Sequence, residues 1–157
     1  MPSSSINRFK RLGPQLWELG DGGYLFIEDT VLELIGRYRQ HAYSAPEAGG
    51  FLAGFYKGLD LHVVNLTVPQ SRDRRSRFRF NRLDPKHVHQ VTEWYEQSAG
   101  EINCLGEWHT HPESSPTPSG IDINGWQLFN KSRCGQRAIF IIAGTENTWT
   151  GELQVSL

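Results

Sequence analysis

Apolar residues near the start of the chain form two short runs, residues 16–19 and 23–27, on either side of Gly20-Asp21-Gly22-Gly23. Glycine and aspartate between two such runs predict a β-hairpin. Residues 51–58 and 61–69 predict two further strands around a second tight turn. Residues 76–82 alternate polar and aromatic side chains and predict one more strand. Strands are also expected over 104–111, 137–145 and 147–155.

Three segments have the spacing of amphipathic helices. The first covers residues 29–41, with Asp29 or Thr30 as its cap. The second follows the pair Asp84-Pro85 and runs to about Ala99. The third begins at Ser119 and runs to about Arg133. In the second helix, the residues expected to be buried are Val88, Val91 and Trp94 or Tyr95.

Three helices distributed among seven or eight strands predict a mixed α/β fold in which helices flank a sheet. The chain has 157 residues, which suits one domain of roughly 100–200 residues. We expect residues 1–14 to be a flexible N-terminal lead-in and residues 15–157 to form the domain.

The net charge, the lengths of the apolar runs and the number of cysteines exclude several classes of protein. The net charge of −1 gives no general reason to bind nucleic acid or an anionic membrane. The first residues contain no apolar run and no segment is long enough to span a membrane, so we expect a cytoplasmic protein. Cys104 and Cys134 are too few for a disulfide-stapled fold and predict two buried free thiols.

The segment with the clearest chemistry contains His109, His111 and Asp122. On a strand, residues i and i+2 point to the same side, so the two imidazoles can bind one metal ion. Asp122 is expected in the first turn of the third helix, where the chain can return towards them. Two histidines and a carboxylate would leave one tetrahedral position open, as in catalytic zinc sites.

Structural alternatives exist for these residues. Ser119-x-x-Asp122 also fits a helix capping box. His87 and His89 form a second His-x-His pair, but on the predicted second helix they diverge by about 200°, so we expect them on a solvated face.

The sequence His-Thr-His-Pro, followed after six intervening residues by Ser-x-x-Asp, resembles the motif of the JAMM, or MPN-plus, metalloproteases. Glu47, just before a small-residue strand, stands where that family has a glutamate. The resemblance implies a curved, cytidine-deaminase-like mixed sheet. It also implies that His109, His111 and Asp122 bind one zinc ion, that Glu47 is the general base, and that Ser119 donates to the oxyanion.

The run over residues 106–116 is more specifically similar to compact bacterial members encoded in anti-phage operons of the CBASS type. For these, the resemblance implies cleavage after the C-terminal tail of a ubiquitin-like protein or of a conjugated nucleotidyltransferase. Two alternatives remain open: a zinc amidohydrolase acting on another small peptide or a sulfur-carrier precursor, and a non-catalytic binding scaffold.

An arginine-rich stretch covers residues 72–82 and holds six arginines and one acidic residue. It predicts either a strand with phenylalanines inwards and arginines in water, or a docking rim for an acidic partner or a conjugate tail. Nucleic-acid binding is a third option, which the near-neutral total charge disfavours. The candidate substrate-binding residues are Arg74, Arg75, Arg77 and Glu113.

Overall fold

The structure is a computed structural model that describes residues 3–133 and 135–156. The strands are β1 (Ser3–Arg8), β2 (Lys10–Gly13), β3 (Leu16–Glu18), β4 (Tyr24–Ile27), β5 (Gly49–Lys57), β6 (Asp60–Leu66), β7 (Arg74–Ser76), β8 (Arg79–Asn81), β9 (Asn103–Thr110), β10 (Ile139–Ala143) and β11 (Thr148–Ser156). The helices are α1 (Asp29–Arg37), α2 (Lys86–Gln97) and α3 (Gly120–Lys131). The predicted mixed α/β class is confirmed, although the strands outnumber the seven or eight expected.

Nine strands form one mixed sheet in the order β1-β11-β10-β9-β5-β6-β4-β3-β2. The pairs β9–β10 and β4–β6 are parallel, and the other neighbours are antiparallel. The hairpins predicted from residues 16–27 and 137–155 are confirmed as β3–β4 and β10–β11. The central position of β5 and β9 places the predicted metal ligands in the middle of the sheet.

The first residues are not the lead-in that we expected. Strand β1 pairs with β11 at one edge of the sheet, and β2 pairs with β3 at the other. Phe9, between them, is only 5% exposed and belongs to the core. One buried aromatic residue therefore anchors a segment whose many polar side chains suggested a loose tail.

Helix α1 ends at Arg37 rather than near residue 41, and its N-cap is Glu28 instead of Asp29 or Thr30. The Glu28 side chain makes no cap hydrogen bond, because its carboxylate contacts His62 at 2.8 Å. This contact across to β6 takes the place of a local cap.

Helix α2 also differs from the prediction. Val88 and Tyr95 are 55% and 49% exposed, and Val91 and Trp94 are only half-buried. The buried residue of this helix is His87, which we expected on a solvated face. His87 instead lies between Asp73 and Thr67, with both nitrogen–oxygen distances at 2.6 Å.

The segment predicted as one strand over residues 76–82 is a two-stranded hairpin, β7–β8, separate from the main sheet. Phe78 lies in its turn and is 73% exposed, whereas Phe80 is half-buried. The chain reverses between these residues, so the expected alternation of inward phenylalanines fails at Phe78.

Both faces of the main sheet are covered by apolar side chains. Helix α1 packs Val31 and Ile35 into the cluster that contains Trp108. On the other face, Trp126 of α3 stacks on Phe140 and Trp149, with ring centroids 4.4 and 5.4 Å apart. This stacking holds the first turn of α3 near the end of β9.

Among the residues that the structure describes, no helix is long and apolar enough to cross a membrane. Cys104 is a half-buried free thiol, and burial raises its pKa. Cys134 lies outside the described residues, so the expectation of two buried thiols concerns a residue that is not described.

Candidate metal centre

The antiparallel ladder between β5 and β9 brings the predicted glutamate and histidines together. Gly49 pairs with His109, and the Thr110 N–H donates to the Ala48 carbonyl at 2.9 Å. Because antiparallel partners advance in opposite directions, the next position places Glu47 opposite His111. A glutamate and a histidine that are 64 residues apart in sequence therefore share one end of the sheet.

The ladder depends on glycine at the second position of β5. A β-carbon at Gly50 would lie 2.0 Å from the Thr67 carbonyl oxygen. The Thr67 hydroxyl meanwhile accepts a hydrogen bond from the Phe51 N–H at 2.8 Å. Only glycine lets the chain that follows Glu47 approach this closely.

His109, His111 and Asp122 form a compact triangle of possible ligand atoms. The two Nε2 atoms are 3.0 Å apart. His109 Nε2 lies 3.1 Å from Asp122 Oδ1, and His111 Nε2 lies 3.1 Å from Asp122 Oδ2. The two imidazoles therefore present the same nitrogen to one point, as the strand periodicity predicted.

Asp122 also caps α3, so the capping-box interpretation of Ser119-x-x-Asp122 is confirmed, and metal binding by Asp122 stays a prediction. Its Oδ2 accepts a hydrogen bond from the Ser119 N–H at 2.8 Å, and its own N–H donates to Ser119 Oγ at 3.1 Å. Burial raises the pKa of Asp122, but hydrogen bonds with His109 and His111 outweigh burial and hold that pKa well below its ordinary value. The carboxylate is thus ionised and oriented before any cation binds.

The other ring nitrogen of His111 also has a hydrogen-bonding partner. Its Nδ1 lies 2.8 Å from Glu113 Oε1. A carboxylate on the far nitrogen of a ligating histidine fixes the ring orientation and strengthens the ligand. Glu113, predicted to contact substrate, therefore has a contact with a candidate ligand, and its role towards substrate stays a prediction.

A family model described as prokaryotic homologs of the JAB domain matches residues 30–153. The chain belongs to this family. The matched range contains Glu47 and the three candidate ligands, so the resemblance drawn from the motif is confirmed at the level of the family.

Three curated relatives of this JAB chain carry the name CD-NTase/cGAS isopeptidase. The relative from Escherichia coli (strain TW11681) is 35% identical over 129 residues, which cover 82% of this chain and 81% of the relative. The relative from Vibrio cholerae serotype O1 is 38% identical over 131 residues, with 83% of each chain covered. The relative from Pseudomonas aeruginosa is 36% identical over 121 residues, covering 76% of this chain and 77% of the relative.

The fold is also found in a solution structure of a protein from Desulfitobacterium hafniense. The two structures superpose with a TM-score of 0.52 at 21% sequence identity, and the match covers 75% of this chain and 73% of the other. This similarity supports the JAB-like fold.

The candidate metal centre lies in a cavity of about 710 Å³ whose wall includes Glu47, His109, His111, Ser119 and Asp122. All five residues expected to act in catalysis or metal binding are therefore brought together. Glu47 is 7% exposed, and burial raises its pKa from 4.5 to about 7. His111 opposes this rise, whereas Asp122 adds to it.

Two of the predicted substrate-binding arginines make contacts within the protein, and a docking rim stays a prediction. Arg75 donates from Nε to the Glu47 carbonyl at 2.8 Å, and Arg77 donates to the Tyr43 carbonyl at 2.6 Å. Arg74 is exposed on β7. The arginines of the cavity wall are Arg79 and Arg82.

Sequence reasoning did not single out Arg82. Its Nη1 lies 3.0 Å from Glu107 Oε1, and its guanidinium lies 3.8 Å from the centre of the Phe51 ring. Arg82 lies in the arginine-rich stretch over residues 72–82, but no local pattern specifies Glu107 of β9 as its partner.

Proposed function

We propose that this chain is a zinc-dependent isopeptidase that removes a nucleotidyltransferase from proteins to which its C-terminal tail has been joined. The observation that carries the proposal is the presence of His109, His111, Asp122 and Glu47 in one cavity. The chain is 35–38% identical to relatives named CD-NTase/cGAS isopeptidase. In this proposal the reaction reverses a ubiquitin-like conjugation in anti-phage defence.

The donor set fits zinc. The two imidazole Nε2 atoms are 3.0 Å apart, and each lies 3.1 Å from a different carboxylate oxygen of Asp122. Ligands in a tetrahedron around zinc, at about 2.0–2.1 Å from the ion, lie about 3.3 Å from one another. Small side-chain movements would therefore bring His109, His111 and Asp122 to zinc distance. Two imidazoles and one carboxylate are a common ligand set of catalytic zinc, with one position left for water or substrate.

When bound, zinc would lower the pKa of water and polarise the scissile carbonyl. Glu47 would accept the proton of the attacking water and pass it to the leaving lysine amine. Its pKa of about 7 without metal suits a group that must take up and release a proton near neutral pH. The cation itself would favour the ionised, proton-accepting form of Glu47.

Ser119 would stabilise the developing oxyanion. Its Oγ accepts a hydrogen bond from the Asp122 N–H, so its own hydroxyl hydrogen is available to a negative oxygen in the cavity. One hydroxyl aimed at an oxyanion can contribute about 2.7–4 kcal/mol to transition-state stabilisation.

The cavity also suits an extended peptide. Phe78 of the β7–β8 hairpin and Ile121 of α3 line it and are 73% and 70% exposed. These two apolar side chains would pack against the substrate tail as it enters the site. Contacts from Arg74, Arg75, Arg77 and Glu113 to substrate remain predictions.

The test is cleavage of a nucleotidyltransferase joined through its C-terminal tail to a lysine of a second protein. Zinc-loaded wild type is compared with Glu47→Ala, and with Glu101→Ala as an exposed glutamate control. We expect cleavage by wild type and Glu101→Ala, none by Glu47→Ala, and equal zinc in all three by mass spectrometry. A zinc-loaded wild type that cleaves short peptides but no conjugate would contradict the proposal and favour an amidohydrolase.

A further inference from the structure

Gln40 is a buried polar residue that the catalytic proposal does not use. It follows α1 and is 1% exposed. Its Nε2 donates to the Ala45 carbonyl at 3.0 Å and to the Arg77 carbonyl at 2.8 Å. Its Oε1 accepts from Thr110 Oγ1 at 2.9 Å. One amide group therefore connects the segment before Glu47, the β7–β8 hairpin and strand β9.

Thr110 lies between the candidate ligands His109 and His111 and is fully buried. Its hydroxyl donates to Gln40 and accepts from the Ala48 N–H at 2.9 Å. The Thr110 hydroxyl has one hydrogen, and it donates that hydrogen to Gln40. Gln40 therefore fixes the orientation of the hydroxyl group, so that an oxygen lone pair is left to accept from the Ala48 N–H. The chain of hydrogen bonds from Gln40 thus ends on the residue after Glu47.

The backbone of Glu47 is held from the other side by the hairpin. Its N–H donates to the Ser76 carbonyl at 2.7 Å, and its carbonyl accepts from Arg75 Nε at 2.8 Å. Gln40 binds the carbonyl of Arg77, the next residue of the hairpin. The hairpin therefore holds the backbone of Glu47, and Gln40 joins the hairpin to β9.

We infer that Gln40 is a positioning residue, which fixes the Glu47 carboxylate relative to His109 and His111 by tying these three segments together. Gln40 is not part of the cavity wall, so it acts through Thr110 and the backbone rather than on substrate. Its catalytic consequence rests on the proposed function, but its effect on the backbone around Glu47 does not.

The first test compares kcat, KM and zinc content. Gln40→Glu keeps an oxygen for Thr110 but loses both N–H donors, and Gln40→Leu loses all three hydrogen bonds. We expect kcat to fall by roughly 100-fold, as when a catalytic group is misplaced by about 1 Å, with KM within about twofold and zinc unchanged. Thr110→Ser should retain wild-type kcat, because it keeps the hydroxyl, and Thr110→Val should behave like Gln40→Leu.

Two controls separate positioning from general stability. Gln15→Leu removes a half-buried glutamine that donates to the Ile27 carbonyl at 3.1 Å, away from the site, and should leave kcat unchanged. Combining Gln40→Leu with Thr110→Val should cost no more than either change alone, since both break the same chain of hydrogen bonds. Unchanged kcat in Gln40→Glu, or a loss of kcat that follows loss of zinc, would overturn the inference.

A second test needs no substrate. Hydrogen exchange of the Ala48 amide should accelerate by roughly tenfold in Thr110→Val, the effect of losing one hydrogen bond, and also in Gln40→Leu. Exchange should stay at the wild-type rate in Thr110→Ser and Gln15→Leu. If wild type cleaved no conjugate but this pattern held, the positioning role would stand and the proposed function would fail. Unchanged exchange in both Thr110→Val and Gln40→Leu would refute the positioning role itself.

Discussion

Replacing Glu47 with glutamine should stabilise the metal-free protein above neutral pH while abolishing catalysis. Burial raises the pKa of Glu47 from 4.5 to about 7. Between these pH values the folded state holds a proton more tightly than the unfolded state, so wild type loses stability as the pH rises. Glutamine does not ionise, and Glu47→Gln avoids that loss.

The size of the effect follows from the same pKa values. A rise from 4.5 to about 7 gives an upper limit of about 3.4 kcal/mol, at 1.36 kcal/mol per pKa unit. Solvent at the open cavity screens the charge and reduces the expected difference to about 1–2 kcal/mol. For a domain of this length that corresponds to a rise in Tm of roughly 2–8 °C at pH 8, and to none near pH 4.

The assay is thermal unfolding followed by circular dichroism in the presence of a chelator, at several pH values from 4 to 8. Glu101→Gln, at an exposed position, serves as the matched control and should show no pH-dependent gain. Zinc should reduce the difference in Tm between wild type and Glu47→Gln, because a neighbouring cation stabilises the ionised Glu47 carboxylate. The reasoning would be refuted if Glu47→Gln had a lower Tm than wild type at pH 8 without metal. It would also be refuted if the difference in Tm between the two proteins were the same at pH 4 and pH 8.

Three other substitutions test the site and its support. Asp122→Ala should lose zinc, measured by mass spectrometry, because it removes one of three ligands and half of the cap of α3. Ser119→Ala should keep zinc but lower kcat by roughly 100- to 1000-fold, and should cost about 1 kcal/mol in urea unfolding because the cap hydrogen bond is lost; a change in KM alone would contradict the oxyanion role. His87→Leu should lower the free energy of unfolding by about 1–3 kcal/mol, because it removes the contacts of this buried ring with Asp73 and Thr67; a loss below about 0.5 kcal/mol would show that these contacts are not important for stability.

The sequence predicted which residues share the candidate site better than it predicted the packing around that site. The reason is that the geometry of a single strand or a single helix start places most of these residues. His109 and His111 converge because a strand repeats every two residues, and Asp122 follows from a helix that starts at Ser119. Each of these relationships is contained within a few residues. The long-range pairing that brings Glu47 opposite His111 was inferred from a family resemblance, since no local pattern specifies the register of two distant strands.

The errors concern residues whose environment is made by distant segments. His87 was assigned to a solvated face from its helix alone, but its partners Asp73 and Thr67 come from the segment between β6 and β7. Phe9 likewise gave no signal that it would enter the core between two edge strands. Gln40 is a single glutamine after a helix, and nothing near it in sequence indicates that its amide connects three segments.

The capping box and the candidate ligand set, which the sequence presented as alternatives at Asp122, share the Asp122 carboxylate, and Oδ2 belongs to both. Oδ2 accepts from the Ser119 N–H and lies 3.1 Å from His111, while Oδ1 lies 3.1 Å from His109. The start of α3 therefore fixes the carboxylate in the orientation that a cation needs, and the ordering is achieved when the chain folds rather than when metal binds. A helix-start motif can thus be a structural cap and a metal site at once, and the histidines within reach decide whether the second role is added.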